Sequence, residues 1–355
     1  MPITDLKGLP VFVTGGTGFI GRTLVRRLLA EGAVVTLLSR RGGGPEGARV
    51  IKGDVGDGAR LGAVLAGQAV LFSLAYDVRQ PGAANVAAFE RLMEAAEAAR
   101  VGRVVHLSSI VVQDGWPGGQ ESPGAPSPGG SPYRRAKIAE EARLMAGRLP
   151  ALILQPTLVW GPGSALWTNG FADALLGGGI AVPEPEGLFQ GVFVEDVATA
   201  CLLAAAVPDP GRERFVINGP AAVPWSALLG GYRDILGRGT IRRVRADDLR
   251  PPDLRPPAPD RDAPDRPSLA ARISAMGRSV LGTERFEALV RKVRSGRPMG
   301  ELRPDAHLYE LMTTSGDWPS TAARDRLGYL PAHDLAMGLA ATAAALRKLA
   351  GNGAG

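Results

Sequence analysis

The sequence is poor in cysteine, histidine and aromatic residues, and each shortage excludes something. Its 355 residues include one cysteine, Cys201, so an internal disulfide framework is excluded and a reducing compartment fits best. Cys201 lies in the apolar stretch "DVATACLLAAAV", where we expect a buried core thiol. The three histidines do not cluster with cysteine or aspartate at metal-ligand spacing, so no metal site is predicted, and His106 is expected in the core.

Long apolar runs are also missing. No run approaches the ~18 residues that cross a membrane. The opening "MPITDLKGLPVFVTGG" leads into a strand and a glycine turn, unlike a signal peptide. The hydrophobic content of 45% is ample for a globular core. We therefore expect a soluble, cytoplasmic protein.

Charge is unevenly spread along the chain. The net charge is +6, and the basic excess lies mainly between Arg233 and Arg303. This segment is rich in proline and has few aromatic residues to stack on bases, so no nucleic-acid binding is predicted. Residues 268–296 have apolar positions at helical spacing, which predicts a helix packed on a lobe with a solvated basic face. Two alternatives stay open, in which this helix grips an anionic substrate group or makes peripheral contact with a membrane surface.

The line "LPVFVTGGTGFIGRTLVRRLLAEGA" combines a short apolar strand, a glycine turn and a helix that stops at glycine. Glycine lets the backbone turn tightly and approach a pyrophosphate, which then binds the free N–H groups of the helix. The spacing G-x-x-G-x-x-G between a strand and a helix predicts dinucleotide binding. We expect cofactor contacts from Gly15, Thr17, Gly18, Phe19, Ile20 and Gly21.

The second strand, "AVVTLLSRR", bears on the choice of cofactor. Proteins that use NAD usually carry an acid about 20 residues past the glycine turn, where it holds the ribose hydroxyls. Here the strand ends in Ser39, Arg40 and Arg41, with no acid in that place. A carboxylate repels a 2′-phosphate, whereas a guanidinium and a hydroxyl bind it. These three residues therefore predict NADP(H).

Strand and helix patterns alternate after this turn. A third strand in "VIKGDVGD" ends near Asp54 and Val55, which are expected near the adenine. A fourth in "AVLFSLAYDV" ends near Leu74 and Ala75, which are expected beside the cofactor, and "RVVHLSSIVV" holds a fifth. This alternation predicts an α/β fold, a doubly wound parallel Rossmann sheet.

The stretch "SPYRRAKIAE" places Tyr133 and Lys137 four residues apart, hence on one face of a helix. A free tyrosine, with a pKa of about 10, is a poor base at neutral pH. A nearby cation favours the phenolate and lowers that pKa by roughly 1–3 units. The pair is therefore either a proton-transfer device or two surface residues, and the spacing alone leaves both open.

Several motifs follow one another in the order of a known family: "TGGTGFIG", "NVAAFERLMEAA", "VVHLSS", "YRRAKIAEE", "LQPTLVWGPG", "GVFVEDVATA" and "FVINGP". With them the chain resembles the extended branch of the short-chain dehydrogenase/reductase superfamily, whose members are NAD-dependent epimerase/dehydratase-like. The resemblance covers residues 10–236 well and residues 317–347 moderately. It implies a Rossmann domain with a smaller, mostly helical C-terminal lobe that binds the substrate.

The resemblance also implies roles for individual residues. Tyr133 would be the catalytic acid/base, and Lys137 its partner and a ligand of the nicotinamide ribose. Ser109 would hold the substrate oxygen, while Ser108 would be structural. Pro156, in "LQPT", is expected at the cofactor.

Departures from the family pattern narrow the reaction. Ile110 and Val111 stand where the sugar-nucleotide 4,6-dehydratases of this branch carry Asp-Glu, so that chemistry is excluded. Trp160 replaces the usual tyrosine of its motif, and Tyr76 follows the end of the fourth strand; both are expected to contact substrate. Asn85 opens a helix, and its role is left open.

We expect the Rossmann domain at 1–160, joined by 190–218, and the substrate lobe at 161–189 and 219–355. The Gly/Pro-rich segment 114–132 is predicted to be a loop over the active site. The motifs together predict an NADP(H)-dependent ketone reductase or alcohol dehydrogenase that acts on a small molecule; homodimerisation stays open. The alternatives are a nucleotide-sugar epimerase with tightly held NAD(P) and a non-catalytic NADP-binding protein.

Overall fold

The structure, a computed structural model, describes residues 6–55, 57–119, 126–251 and 300–351. Its strands are β1 (Pro10–Thr14), β2 (Val34–Ser39), β3 (Arg49–Lys52), β4 (Val70–Ser73), β5 (Arg103–Leu107), β6 (Ala151–Pro156), β7 (Leu158–Trp160), β8 (Gly179–Glu184), β9 (Leu188–Phe189), β10 (Gly191–Phe193), β11 (Arg212–Ile217), β12 (Val223–Pro224) and β13 (Thr240–Arg245). Its α-helices, numbered along the described chain, are α1 (Phe19–Ala30), α2 (Gly58–Leu65), α3 (Gly82–Ala98), α4 (Pro132–Ala146), α5 (Phe171–Gly177), α6 (Val194–Ala206), α7 (Trp225–Leu236), α8 (Ala246–Leu249), α9 (Ala306–Thr313), α10 (Thr321–Leu327) and α11 (Leu335–Gly351).

Seven strands form one parallel sheet in the order β11–β6–β5–β4–β1–β2–β3. Helices cover both of its faces. On β1, Val11 and Val13 are buried with residues of α1 and α6, whereas Phe12 is buried on the opposite face with residues of α2 and α3. A strand buried on both faces is expected to be apolar throughout, as "VFV" is. The predicted doubly wound α/β sheet is confirmed.

The strand order positions the site. All seven strands are parallel, so their carboxyl ends meet at one edge of the sheet. From β1 the chain runs outward to β2 and β3, then crosses back to β4 on the other side of β1. Ligands of open α/β sheets bind in the crevice that forms where the strand order reverses. Here that crevice lies at the glycine turn after β1.

The second lobe is built from helices and short strand pairs. β8 pairs with β13, β9 with β12 and β7 with β10. Its core is aromatic and includes Trp160, Phe189, Trp225 and Tyr232, which are nearly or fully buried. Helices α5, α7 and α11 pack around this core. The predicted C-terminal helical lobe is confirmed.

Parts of the chain beyond residue 160 nevertheless pack with the sheet. β11 is the edge strand beside β6, and α6 packs on α1. Ala323, Leu327 and Tyr329, which the sequence places in the lobe, are buried in this same core. The helix predicted at 268–296 and part of the predicted loop 114–132 lie outside the described residues. The domain boundaries stay predictions.

Two residues that the sequence analysis expects in the core are buried there. Cys201 is fully buried, and burial raises the pKa of its thiol to about 12, so it is an unreactive core residue as predicted. His106 is also buried, within β5.

In the part of the chain that the structure describes, no helix is both long and apolar enough to span a bilayer. Nor do three His, Cys, Asp or Glu side chains group there as a metal site would need.

Candidate active site

The glycine turn joins β1 to α1 and lies close against the residues that follow β4. Gly15 has a φ of +72°, and a Cβ atom there would lie 2.8 Å from the carbonyl carbon of Leu74. A Cβ atom on Gly21 would clash with the carbonyl oxygen of Gly15. No side chain caps the helix at Gly18. Its first N–H groups are therefore available to an anion, as a dinucleotide pyrophosphate requires.

Thr14 locks the end of β4 to the end of β1, a role that the sequence analysis missed. Its Oγ1 accepts hydrogen bonds from the backbone N–H groups of Leu74 (3.2 Å) and Ala75 (3.3 Å) and donates to the carbonyl of Phe72 (3.4 Å). The predicted cofactor residues Leu74 and Ala75 therefore lie directly beside the predicted turn residue Gly15. This close approach explains why the turn begins with glycine.

The end of β2 forms the basic side of the crevice. Ser39 is buried as the last residue of that strand, and its carbonyl accepts hydrogen bonds from the N–H groups that follow β2 and β3. Arg40 and Arg41 follow at once and are exposed. Asp54 and Val55 lie just after β3, the neighbouring strand. The structure thus brings all five of these predicted residues to one edge of the sheet.

Arg40 reaches across the end of β1. Its Nη1 lies 2.5 Å from Oδ2 of Asp77, which follows β4. Asp77 also takes two hydrogen bonds from the guanidinium of Arg79, at 2.6 and 2.7 Å. Asn85, whose role was left open, accepts from the Asp77 N–H (2.8 Å) and donates to the Asp77 carbonyl (3.1 Å). Asn85 is therefore a structural residue that fixes the loop after β4.

Helix α4 presents the tyrosine and lysine. It begins at Pro132, a favoured first residue, and the Oγ of Ser131 accepts a hydrogen bond from the Arg134 N–H (3.2 Å). The Tyr133 side chain is at the surface of the crevice, and its ring meets that of Tyr76 edge-on with centroids 4.9 Å apart. The Lys137 Nζ lies 5.1 Å from the Tyr76 ring centroid and 6.0 Å from the Tyr133 ring centroid. The three side chains form one cluster.

The buried carboxylate of Glu140 holds the Lys137 ammonium in place. Its Nζ donates to Oε2 of Glu140 (2.8 Å) and to the carbonyl of Leu107 (3.1 Å), and only 3% of its side chain is exposed. Nε2 of His106 lies 3.4 Å from the same Glu140 oxygen. Burial opposes ionisation of Glu140, but Lys137 and His106 outweigh it and hold the pKa of Glu140 at about 2. Glu140 was missed because the sequence alone does not show that its helix face is buried.

A second buried carboxylate, Glu141, supports the serine pair. It accepts hydrogen bonds from Ser108 (2.5 Å), Gln155 (2.8 Å) and Arg214 (2.7 Å). Ser108 therefore has the structural role expected of it. Ser109 follows at the end of β5, where its Oγ accepts from the Val111 N–H (3.4 Å). This anchoring keeps Ser109 at the carboxyl edge of the sheet.

Pro156 and Trp160, the remaining predicted site residues, are buried. Pro156 ends β6 and is buried. Trp160 is also buried, with its ring centroid 5.1 Å from that of Phe193, and a Cβ atom on Gly338 would clash with it. Trp160 thus packs the second core, and substrate contact by this residue stays a prediction. Trp116, which belongs to the predicted loop 114–132, lies 6.1 Å from Trp318 between ring centroids.

The arrangement fits a nicotinamide dinucleotide, and comparison with known proteins agrees. Residues 11–218, which hold the glycine turn, Ser109, Tyr133 and Lys137, match the model of the NAD dependent epimerase/dehydratase family. The chain belongs to this family. It is therefore an enzyme of the NAD(P)-dependent oxidoreductase and epimerase type, as the resemblance implied.

The relatives of this chain include both epimerases and reductases. A UDP-glucose 4-epimerase of Mycolicibacterium smegmatis is 33% identical over 284 residues, which cover 67% of this chain and 90% of the relative. The 4-hydroxy-2-methyl-3-oxo-4-farnesyl-3,4-dihydroquinoline-1-oxide ketoreductase of Stigmatella aurantiaca is 31% identical over 241 residues, which cover 61% of this chain and 70% of the relative. Among solved structures, MoeE5 in complex with UDP-glucose and NAD is 25% identical, has a TM-score of 0.66, and is matched over 96% of this chain and 99% of that chain.

Proposed function

We propose that this protein is an NADP-dependent oxidoreductase that reduces a ketone, or oxidises an alcohol, on a small molecule. One observation carries the proposal. Lys137 lies buried beside the rings of both Tyr133 and Tyr76, while Tyr133 stays at the surface of the crevice. A phenol that is accessible to a substrate and lies near a fixed ammonium is suited to proton transfer.

The residues divide the work of the reaction. Tyr133 donates a proton to the carbonyl oxygen in reduction and takes it back in oxidation. Ser109 holds that oxygen by a hydrogen bond, and Lys137 places its positive charge beside the Tyr133 ring and binds the ribose. A bound nicotinamide supplies or accepts the hydride. The side chain of Tyr76, packed edge-on against Tyr133, bounds the substrate side.

The preference for NADP rests on the end of β2. Ser39 leaves no acid there to repel a 2′-phosphate, and Arg40 and Arg41 supply positive charge. Each charge-assisted hydrogen bond to phosphate contributes about 1.5–3 kcal/mol. The affinity for NADPH should therefore be at least about tenfold higher than the affinity for NADH.

The test uses the purified, gel-filtered protein. We expect no stoichiometric nucleotide in its absorbance spectrum, and NADPH consumption in the presence of some member of a panel of aliphatic, aromatic and β-keto carbonyl compounds. NADH should serve poorly in the same assay. Equal use of NADH, or a failure to bind either nucleotide, would refute the proposed cofactor.

A second candidate, a nucleotide-sugar epimerase, is favoured by the 33% identity to the mycobacterial UDP-glucose 4-epimerase. An epimerase uses the same tyrosine and lysine but keeps its nicotinamide through a full cycle. Tightly held NAD that survives gel filtration, together with interconversion of UDP-sugars without added cofactor, would replace the reductase proposal.

A further inference from the structure

The ion pair between Arg40 and Asp77 lies across the cofactor crevice. β1 lies between β2 and β4 in the sheet, and the glycine turn follows β1. Arg40 follows β2 and Asp77 follows β4, so their 2.5 Å contact spans the end of β1. The residue proposed to receive the 2′-phosphate is therefore already bound to a carboxylate.

The two partners differ in how firmly they are held. The Asp77 backbone is bonded on both sides by the Asn85 amide, and its carboxylate takes two hydrogen bonds from Arg79. The Asp77 side chain is 14% exposed, whereas that of Arg40 is 54% exposed. Arg79 and then Arg40, opposed by burial, hold the pKa of Asp77 well below its usual range, so it is ionised at neutral pH. Arg40 is therefore the partner whose charge water can solvate when the pair opens.

We propose that Asp77 is a specificity-determining residue for the cofactor, which competes with the 2′-phosphate for Arg40. This inference rests on the proposed use of NADP. When the phosphate takes Arg40, Asp77 keeps Arg79 as its counter-ion, so no carboxylate is left unpaired. The exchange therefore costs little free energy, about as much as one exposed ion pair contributes to stability. Asp77 thereby limits the preference for NADP that Arg40 creates.

The test compares two small ligands that differ only in the 2′-phosphate, adenosine 2′,5′-bisphosphate and adenosine 5′-monophosphate, by isothermal titration calorimetry. Asp77→Asn should strengthen binding of the bisphosphate about threefold to fivefold, as expected for an exposed ion pair, and change the monophosphate little. The matched control is Glu301→Gln, which removes the same charge from a pair with Arg242 in the second lobe. It should change neither affinity.

A double-mutant cycle separates competition from simple repulsion. In an Arg40→Gln background the gain from Asp77→Asn should disappear, because the guanidinium for which Asp77 and the phosphate compete is then absent. An equal gain in both backgrounds, or weaker binding of the bisphosphate by Asp77→Asn, overturns the inference. Thermal unfolding of each variant shows whether the fold is retained.

The two proposals fail in different ways. If the unmodified protein prefers the bisphosphate but Asp77→Asn changes nothing, the role of Asp77 is wrong and the NADP proposal stands. If the unmodified protein shows no preference and Arg40→Gln has no effect, the NADP proposal itself is wrong, and Asp77 loses its role with it.

Discussion

The two ends of the crevice hold their charges in opposite ways. At the catalytic end, the Lys137 and Glu140 side chains are 3% and 2% exposed. At the adenosine end, the Arg40 and Arg79 side chains are 54% and 36% exposed. Both ends contain ion pairs shorter than 3 Å. They differ in whether water can replace a partner that leaves.

This difference decides what each ion pair can do. Removing one partner of a buried pair leaves an uncompensated charge and costs about 3–5 kcal/mol. An exposed pair contributes only about 0–1 kcal/mol, so its partners exchange easily. The buried pair therefore holds Lys137 in one place, whereas the exposed pair can change partners, as the exchange proposed for Arg40 requires. The predictions below test each side of this contrast.

The largest effect is expected at the catalytic end. Tyr133→Phe removes the proposed proton donor, so turnover should fall about a hundredfold to ten-thousandfold. Affinity for NADPH, measured by fluorescence titration, should change less than about twofold, since the phenol is remote from the adenosine end. Tyr309→Phe is the control, because its phenol donates to the Ala246 carbonyl in the second lobe (3.1 Å) and should be dispensable for turnover. Near-normal turnover by Tyr133→Phe would rule out its assigned role.

The sequence predicts the parts of this site that depend on local spacing. The glycine turn, the strand ends and the pairing of Tyr133 with Lys137 all lie within short stretches, where backbone geometry alone brings the residues together. The family's motif order adds Ser109. In the structure, Gly15 lies against Leu74 and Lys137 lies beside the Tyr133 ring, while the joint role of these residues stays a prediction.

The sequence does not predict the contacts that close over long separations. Arg40 and Asp77 are 37 residues apart, and Glu141 and Arg214 are 73 apart. Nothing in either segment alone identifies the other as its partner. Trp160 is a further example. Its position in a motif predicts substrate contact, but its ring packs against Phe193 and against Gly338, which is distant in sequence. Burial, and with it the strength of each charge pair, comes from the assembled fold.

The next largest effect concerns stability. Glu140→Gln leaves the Lys137 ammonium without its buried counter-ion, so the free energy of unfolding should fall by about 3 kcal/mol or more. Glu141→Gln is the matched comparison on the same helix. Its cationic partner Arg214 is 29% exposed and can be solvated, so the loss should be smaller, about 1–3 kcal/mol. Urea unfolding at neutral pH measures both, and a larger loss for Glu141→Gln would contradict the ranking.

The stabilising effect of Glu140 should depend on pH. Its pKa is lowered in the fold from 4.5 to about 2, because Lys137 and His106 outweigh the opposing effect of burial. The carboxylate therefore stabilises the fold fully above the unfolded-state pKa, and this contribution is lost as pH falls towards about 2. The stability difference between the unmodified protein and Glu140→Gln should shrink by up to about 1.4 kcal/mol per pH unit over that range. A difference that stays constant on acidification would mean that the Glu140 carboxylate is not preferentially ionised in the fold.

At the exposed end, the smallest effect on stability is expected, and the change should appear in cofactor binding instead. Arg40→Asp removes a cation from the proposed 2′-phosphate site and adds a repelling carboxylate, so the preference for NADPH over NADH should reverse. Loss of one charge-assisted contact alone should weaken NADPH binding by about 1.5–3 kcal/mol, which is about tenfold or more in affinity. Arg41→Asp, made in parallel, tells which of the two arginines reaches the phosphate. Fluorescence titration with both nucleotides gives the ratio, and urea unfolding should show a change within about 0.5 kcal/mol, as for other exposed positions. If both variants bind the two nucleotides as the unmodified protein does, the basic end of β2 is an ordinary charged surface and the contrast between the two ends loses its functional meaning.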